Sequence, residues 1–519
     1  MDMWLDKAKT AALAACSGIL TFGIGSAFAF KLVATSYGVP AARVAVFAYT
    51  QPLRLWPHAM TAYVAAVLVL AIGIAAALWF AFAGHRWTYR PRRVDSAEAA
   101  ADLVTKTAMK SPRIFGGKFG SKPFYASVED RGLVIGPPGT GKTAFLFNQV
   151  LRSMKTGLSF VVIDLKPELH RTLTPSLEKA GYRVLRINPA KVDRDADHWN
   201  PLADIPDETD IAEMCASLLP IRDPKEAPFI EAQRDWIKAA VFHVSATPGG
   251  SLPSAFNLLS EHADPLKLLD ILMRSPNATA ARLARRMYAG MTSGKDPLML
   301  QGLSGALRGI DYLGLAGVQD ALGYSDFSAR DIGKGVQPTA LFLQFEEAKI
   351  NALGPLLAFM ATGVLTALID TAGQRKPVAL FLDELGNMPP IPNLPEKLNT
   401  IRSRHIPTWM YFQTAEQMNL RYGKGADETF FASADVQMVF RLNDVMTRER
   451  ISKLIGTTEK IKFSTNSAGQ TRTREKVNVI EPHQLGQLKT GEVVALYRGA
   501  AAKGHATPHY IDFPEFRRK

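Results

Sequence analysis

A chain of 519 residues, 47% hydrophobic and 21% charged, carries enough apolar material for two or three cored domains and is not a disordered polymer. Its 61 Lys and Arg against 48 Asp and Glu leave a formal charge of +13, which favours a polyanionic partner such as nucleic acid or an acidic lipid surface, although the basic flanks of membrane segments raise the same balance. Cys16 and Cys215 are the only cysteines, which excludes a disulfide framework or a CxxC metal site and suits a reducing compartment, and no internal repeat points to a solenoid.

The first elements in chain order are two uncharged apolar stretches, residues 10–30 and 59–84, each long enough for the roughly 20 residues that cross a hydrocarbon core. Lys31, Arg43 and Arg54 are spread over the segment between them, whereas Arg86, Arg90, Arg92 and Arg93 crowd behind the second. The positive-inside rule then puts this second flank, and the N-terminus with Lys7 and Lys9, in the cytoplasm. Trp56, Trp79 and Trp87 fall near the ends of the second stretch, as an interfacial aromatic belt requires. Ala27-Phe28-Ala29 also has the small-x-small form of a signal-peptide cleavage site, but in either case the second span delivers everything after Arg86 to the cytoplasm. Residues 1–90 are therefore expected to form a two-span anchor.

A basic stem over residues 86–122 leads to the apolar strand Gly132-Leu-Val-Ile135, and then to Gly136-Pro137-Pro138-Gly139-Thr140-Gly141-Lys142-Thr143. This is G-x-x-x-x-G-K-T between a strand and the helix that Ala144 begins to build, the pattern of a phosphate-binding P-loop. The glycines let backbone N–H groups turn toward phosphate oxygens, Lys142 reaches the β and γ phosphates, and the Thr143 hydroxyl suits Mg2+. The bare pattern arises by chance in only about 2% of chains this long, so an incidental glycine-rich turn is a poor explanation. ATP with Mg2+ is the expected cofactor. Such a loop needs a second carboxylate for the metal and a base for water; Val378-Ala-Leu-Phe-Leu-Asp383-Glu384 offers Asp383 for the first and Glu384 for the second. The next apolar run, Ile406 to Gln413, ends in an amide that could sense the γ-phosphate or could be a plain polar strand end.

Further apolar, β-branched runs at residues 159–164, 182–187, 340–344, 436–440 and 493–497 alternate with helical stretches, which predicts a parallel sheet buried on both faces. Between residues 204 and 325 the pattern turns helical, so the predicted fold class is an α/β P-loop NTPase domain, residues 91–203 and 326–519, with an inserted all-α domain at 204–325 and two transmembrane helices before it. Insertions at strand ends often hold the substrate side. Lys460, Lys462, Arg472, Arg474 and Lys476 alternate across a predicted hairpin, which reads as a DNA grip or as an edge kept charged against aggregation.

These motifs, together with VVIDLKPEL around Asp164, NPL at Asn200, the block from Asp383 to Gln417, and the closing VIEPHQLGQLKTGEVVALYRG, resemble the type IV secretion coupling proteins, the TraG/TraD family of conjugation ATPases. The resemblance spans nearly the whole chain. It implies a RecA-like motor that forms a homo-hexameric ring under the bacterial inner membrane and passes DNA, with a relaxase or effector protein, to the proteins of a secretion channel. It also implies that Gln413 is a sensor glutamine and that Arg402 reaches the neighbouring subunit's nucleotide, with Arg404 as the alternative. Two departures stand out. No acidic tail precedes Lys519 for docking, and residues 500–506 are looser than the turn the family leads one to expect. A DNA-segregation translocase shares the anchor and ring but matches less well after Asp383, and a docking receptor for effectors with slow ATP turnover is the reading from another class. Leu303-Ser-Gly-Ala is similar to part of an ABC-transporter signature but stands far upstream of Asp383, which removes that reading.

Overall fold

The computed structural model describes residues 93–105, 113–165, 168–221, 223–262, 264–294, 297–466 and 469–516, with isolated positions before residue 93. The chain divides into two compact units, Met1–Pro91 and Arg92–Lys519. Apart from single positions, the two predicted spans, 10–30 and 59–84, lie outside the described residues.

After α1 (Ala97–Thr105) and the strands β1 (Arg113–Phe119) and β2 (Lys122–Ser127), the chain enters β3 (Gly132–Ile135), α2 (Lys142–Met154), β4 (Ser159–Asp164), α3 (Glu168–Lys179) and β5 (Arg183–Ile187). A purely helical segment follows, comprising α4 (Pro201–Asp204), α5 (Glu208–Leu218), α6 (Ala227–Ser245), α7 (Leu252–Glu261), α8 (Pro265–Met273), α9 (Ala278–Thr292), α10 (Pro297–Gly309) and α11 (Ala316–Gly323). The sheet then resumes with β6 (Thr339–Gln344), α12 (Ile350–Asp370), β7 (Val378–Leu382), α13 (Leu394–Ser403), β8 (Thr408–Phe412), α14 (Ala415–Tyr422), α15 (Ala426–Ser433), β9 (Val436–Val439) and α16 (Val445–Ile455). A separate hairpin of β10 (Thr457–Asn466) and β11 (Gly469–Asn478) precedes α17 (Pro482–Gly486), β12 (Glu492–Tyr497), β13 (Ala500–His505) and α18 (His509–Asp512).

The main sheet has 11 strands in the order β2-β1-β13-β12-β9-β3-β8-β7-β4-β6-β5. From β9 to β5 every pairing is parallel. β3, β4, β6, β7 and β8 are buried along their whole length, which is why their sequences are unbroken apolar runs and not alternating ones. Two apolar clusters form on the sheet's faces: Leu133 and Ile135 of β3 join the one that includes α12 and α6, and Val134 joins the one built on Phe145, Phe160 and Trp409. Glu347–Asp370 is long and apolar enough to cross a membrane, but most of it is buried in the first cluster and it is a core helix here.

Three expectations change. Residues 493–497, read as part of the parallel sheet, form β12, which runs antiparallel to both β9 and β13. The loose segment 500–506 is largely β13, joined to β12 through a tight turn in which Arg498 and Gly499 both have positive φ. Its small residues are a packing requirement, since a Cβ on Gly504 would meet the Lys118 carbonyl and the Phe119 ring at 2.4 Å. Residues 113–122 of the basic stem are β1 and the start of β2. Ile114, Phe115, Phe119 and Phe124 bury there, and an irregularity in register between Phe115 and Lys118 disguised the strand period.

Arg131, just ahead of β3, fastens the helix that carries Arg402. Its buried guanidinium pairs with Asp435 at 3.0 Å and donates to the Leu398 carbonyl at 3.0 Å and Asn399 Oδ1 at 3.2 Å on α13. Asp435→Ala leaves that charge buried with only neutral acceptors, and thermal melting of the purified chain should register a loss of about 3–5 kcal/mol.

Candidate functional site

β3 lies between β8 and β9, with Ile135 level with Phe412 and Val439, so the loop leaving β3 emerges at the sheet's carboxyl edge. The Gly136 N–H donates to the Phe412 carbonyl at 3.2 Å, and the chain then turns through Gly139 (φ 77°) and Gly141 (φ 106°), both in the region that side chains avoid. Gly136 admits no side chain either: a Cβ would lie 2.7 Å from Cβ of Phe440. Pro138 and Gly139 are exposed at the crest, Pro137, Thr143 and Ala144 are half-buried, and Thr140 and Lys142 are buried. Thr140 donates its hydroxyl to the Pro137 carbonyl at 2.8 Å, and Lys142 Nζ donates to the carbonyls of Gly136 and, at 3.2 Å, Pro137. A second segment clamps the loop from outside. The Gly491 N–H donates to the Thr140 carbonyl at 3.0 Å, and the Gly491 carbonyl accepts from Ala506 at 2.9 Å.

Two strands away, β7 ends at Asp383 and Glu384, which are 2% and 6% exposed. The Glu384 N–H donates to Asp383 Oδ1 at 3.0 Å, and Glu384 itself takes φ 51°, a conformation rare outside glycine that neighbouring contacts must enforce. Two of those contacts are side-chain amides. Glu384 Oε2 accepts from Gln413 Nε2 at 3.0 Å and from Asn387 Nδ2 at 2.9 Å. Gln417 completes the net, accepting from the Gln413 N–H at 2.9 Å and donating to Asn387 Oδ1 at 3.3 Å. Gly386 makes room for it, since a Cβ there would lie 2.3 Å from Gln417 Oε1. Beneath, buried Tyr411 donates to Gln149 of α2, and burial together with the nearby Asp383 charge holds its phenol well above the usual range.

The structure thus places Gly136 to Ala144 in one loop at the strand edge that also carries Asp383, and joins Glu384 directly to Gln413. Arg402 stays apart: it is exposed in the last turn of α13, and among the described residues no hydrogen bond or ion pair links it to the loop, Glu384 or Gln413. Asn387, Gln417 and Gly491 were missed from sequence. The first two had a faint signal as amides spaced three and four residues after Glu384 and Gln413, and Gly491 had none, because its partner is 351 positions from it in the chain, as 491 − 140 gives.

The residues fit a nucleotide with Mg2+. The loop's glycines keep side chains out of the space where phosphates would lie, and Thr143 and Asp383 are hard oxygen donors of the kind that ion takes. Among the described residues no group of three His, Cys, Asp or Glu could hold a metal, so phosphate and water would have to supply the remaining ligands.

A parallel sheet with this loop after one strand and an Asp-Glu pair at the tip of another defines a P-loop nucleotide-binding protein of the α/β class. The chain belongs to the family described as type IV secretory system conjugative DNA transfer, whose model matches residues 93–517. It is 26% identical over 383 residues to the conjugal transfer protein TraG of Escherichia coli, a match covering 68% of this chain and 59% of that protein. Its fold is similar to that of the bacterial conjugative coupling protein TrwB: the unbound form aligns with a TM-score of 0.65 at 18% identity over 80% of this chain and 92% of the other. The plasmid coupling protein TrwB in complex with ADP and Mg2+ aligns at 0.63 and 18%, over 81% and 94%.

Gly141→Ala would force a side chain into φ 106°, at a strain of roughly 1–3 kcal/mol. Titration with a fluorescent ATP analogue should show affinity about tenfold weaker or worse.

Proposed function

We propose that the chain is an ATP-hydrolysing coupling protein of a conjugative type IV secretion system, driving DNA with its bound relaxase, or an effector protein, toward the proteins of the secretion channel. The observation that carries it is the contact of Gln413 and Asn387 with Glu384 at the carboxyl edge that also bears the P-loop. Such a contact ties the state of the water-activating carboxylate to the tip of the adjacent strand, as a motor needs.

In this reading residues 1–90 are a two-span anchor in the bacterial inner membrane and the rest is cytoplasmic. Residues 91–203 and 326–519 form the RecA-like motor, and the inserted 204–325 serves the substrate side. The backbone N–H groups of the loop and Lys142 hold the β and γ phosphates, and Thr143 and Asp383 would hold Mg2+. That ion, when bound, offsets phosphate charge. Glu384 orients water toward the γ-phosphate and takes its proton, while Gln413 and Asn387 fix the carboxylate's direction. Arg402, exposed and not bonded to its own loop, supplies its charge to the nucleotide of the adjacent subunit in a homo-hexamer.

The test is ATP turnover by the full chain in detergent, with and without single-stranded DNA. DNA should raise the rate, and Lys142→Ala and Glu384→Gln should abolish it. Arg402→Ala should abolish turnover while retaining ATP affinity. A rate indifferent to DNA would favour the effector-docking reading, and full activity of a monomer would remove the trans role of Arg402.

Asn387→Ala should lower kcat about 10- to 100-fold with little change in KM. Asn387→Asp places a second negative charge on Glu384 and makes its proton harder to lose, so the acid limb of the pH–rate profile should move to higher pH. An unmoved limb would mean that Asn387 does not act through Glu384.

A further inference from the structure

A second cluster of donors lies on the carboxyl edge of the sheet, away from the P-loop. Asn188 closes β5 and Gln344 closes β6, and each is only 5% exposed. Asn188 uses its Oδ1 to accept from the Ala190 N–H at 3.2 Å, and Gln344 uses its Oε1 to accept from Arg186 at 3.3 Å. Among the described residues neither amide's NH2 group has a protein acceptor. Both line a cavity of about 220 Å³, together with Arg171 of α3 and Lys191.

Charge in this cavity is unevenly balanced. Arg186 is spent on Asp193, at 2.7 Å, and Glu346 at the rim pairs with Lys349 at 3.0 Å. His170 is neutral, since burial and then the Arg186 charge push its imidazole down to about 4. Arg171 is exposed, and Lys191 lies 3.9 Å from an Asp193 that Arg186 already occupies. Nearly buried amide donors facing a cavity beside loosely held cations call for a ligand rich in acceptors and negative charge.

We infer that this cavity is a contact site for backbone phosphates of the transported single-stranded DNA, an assignment that rests on the DNA-cargo reading above. A nucleotide seated on the P-loop does not reach it. β6 is four strands from β3, which at about 4.8 Å per strand is roughly 19 Å across the sheet. Because all these strands are parallel, both sites open on one edge, where a single polyanionic strand can meet the cavity while ATP occupies the loop. The contact involves phosphate alone, so no base preference arises from it.

The experiment is fluorescence anisotropy of a labelled mixed-sequence oligonucleotide with the full chain in detergent, across a range of salt. The variants are Arg171→Ala/Lys191→Ala and, as a control removing the same charge from exposed positions at the opposite, amino edge of the sheet, Lys179→Ala/Lys376→Ala. Loss of two phosphate contacts should flatten the slope of log affinity against log salt by about 1.4 and weaken binding about tenfold at low salt, whereas the control should follow the wild type. Asn188→Leu, which removes one amide without changing charge, should weaken binding two- to fivefold in protein whose melting is unchanged. If the wild type binds DNA and the Arg171/Lys191 variant binds with the same slope, or if the control loses as much, the site is wrong while the cargo reading survives. If the wild type binds no DNA, both fall.

Discussion

Much depends on the parallel pairing of β3, β8 and β7. Parallel strands bring all their carboxyl ends to one edge, and the fixed register sets Ile135 level with Phe412, and Leu382 level with Met410. The P-loop, the Asp383-Glu384 pair and Gln413 lie 277 positions apart at their extremes, residues 136 to 413, yet meet at neighbouring strand tips without any loop reaching across the fold. A shift of one residue in that register would turn Asp383 to the opposite face and separate Glu384 from Gln413.

On that frame two side-chain amides, those of Asn387 and Gln413, reach Glu384. Glu384 accepts two neutral donors and sits in a left-handed backbone conformation that Asn387 and the Gln417–Gly386 contact keep in place. Neutral donors orient a carboxylate without placing a further charge beside it. The cost of the strained turn is confined to a few residues and is offset by surrounding burial.

The basic composition divides into parts with different work. Arg131, Arg152 and Arg186 are consumed by internal carboxylates and carbonyls and contribute to the fold. Arg402, Arg171 and Lys191 remain at the surface, which suits contacts made with a neighbouring subunit or a polyanion. A net charge of +13 could not separate these groups, since an exposed and a buried arginine count alike in a composition.

The sequence by itself determined where the candidate nucleotide site lies, because G-x-x-x-x-G-K-T and Asp383-Glu384 are local patterns carried within a few residues. It also determined the fully buried strands, since a strand covered on both faces must be apolar throughout. Only the tertiary structure decided the rest. In the antiparallel edge, β1 and β13 are mostly buried but interrupted by Gly, Ala and a register irregularity, so their period was faint, and the direction of β12 was open until its partners were known. Gln413 was ambiguous as a strand-end amide until the fold placed it 3.0 Å from Glu384, and the roles of Asn387, Gln417 and Gly491 consist wholly of contacts with distant positions. A motif is legible where one segment carries the chemistry. A site assembled across strands needs the sheet that brings its pieces together.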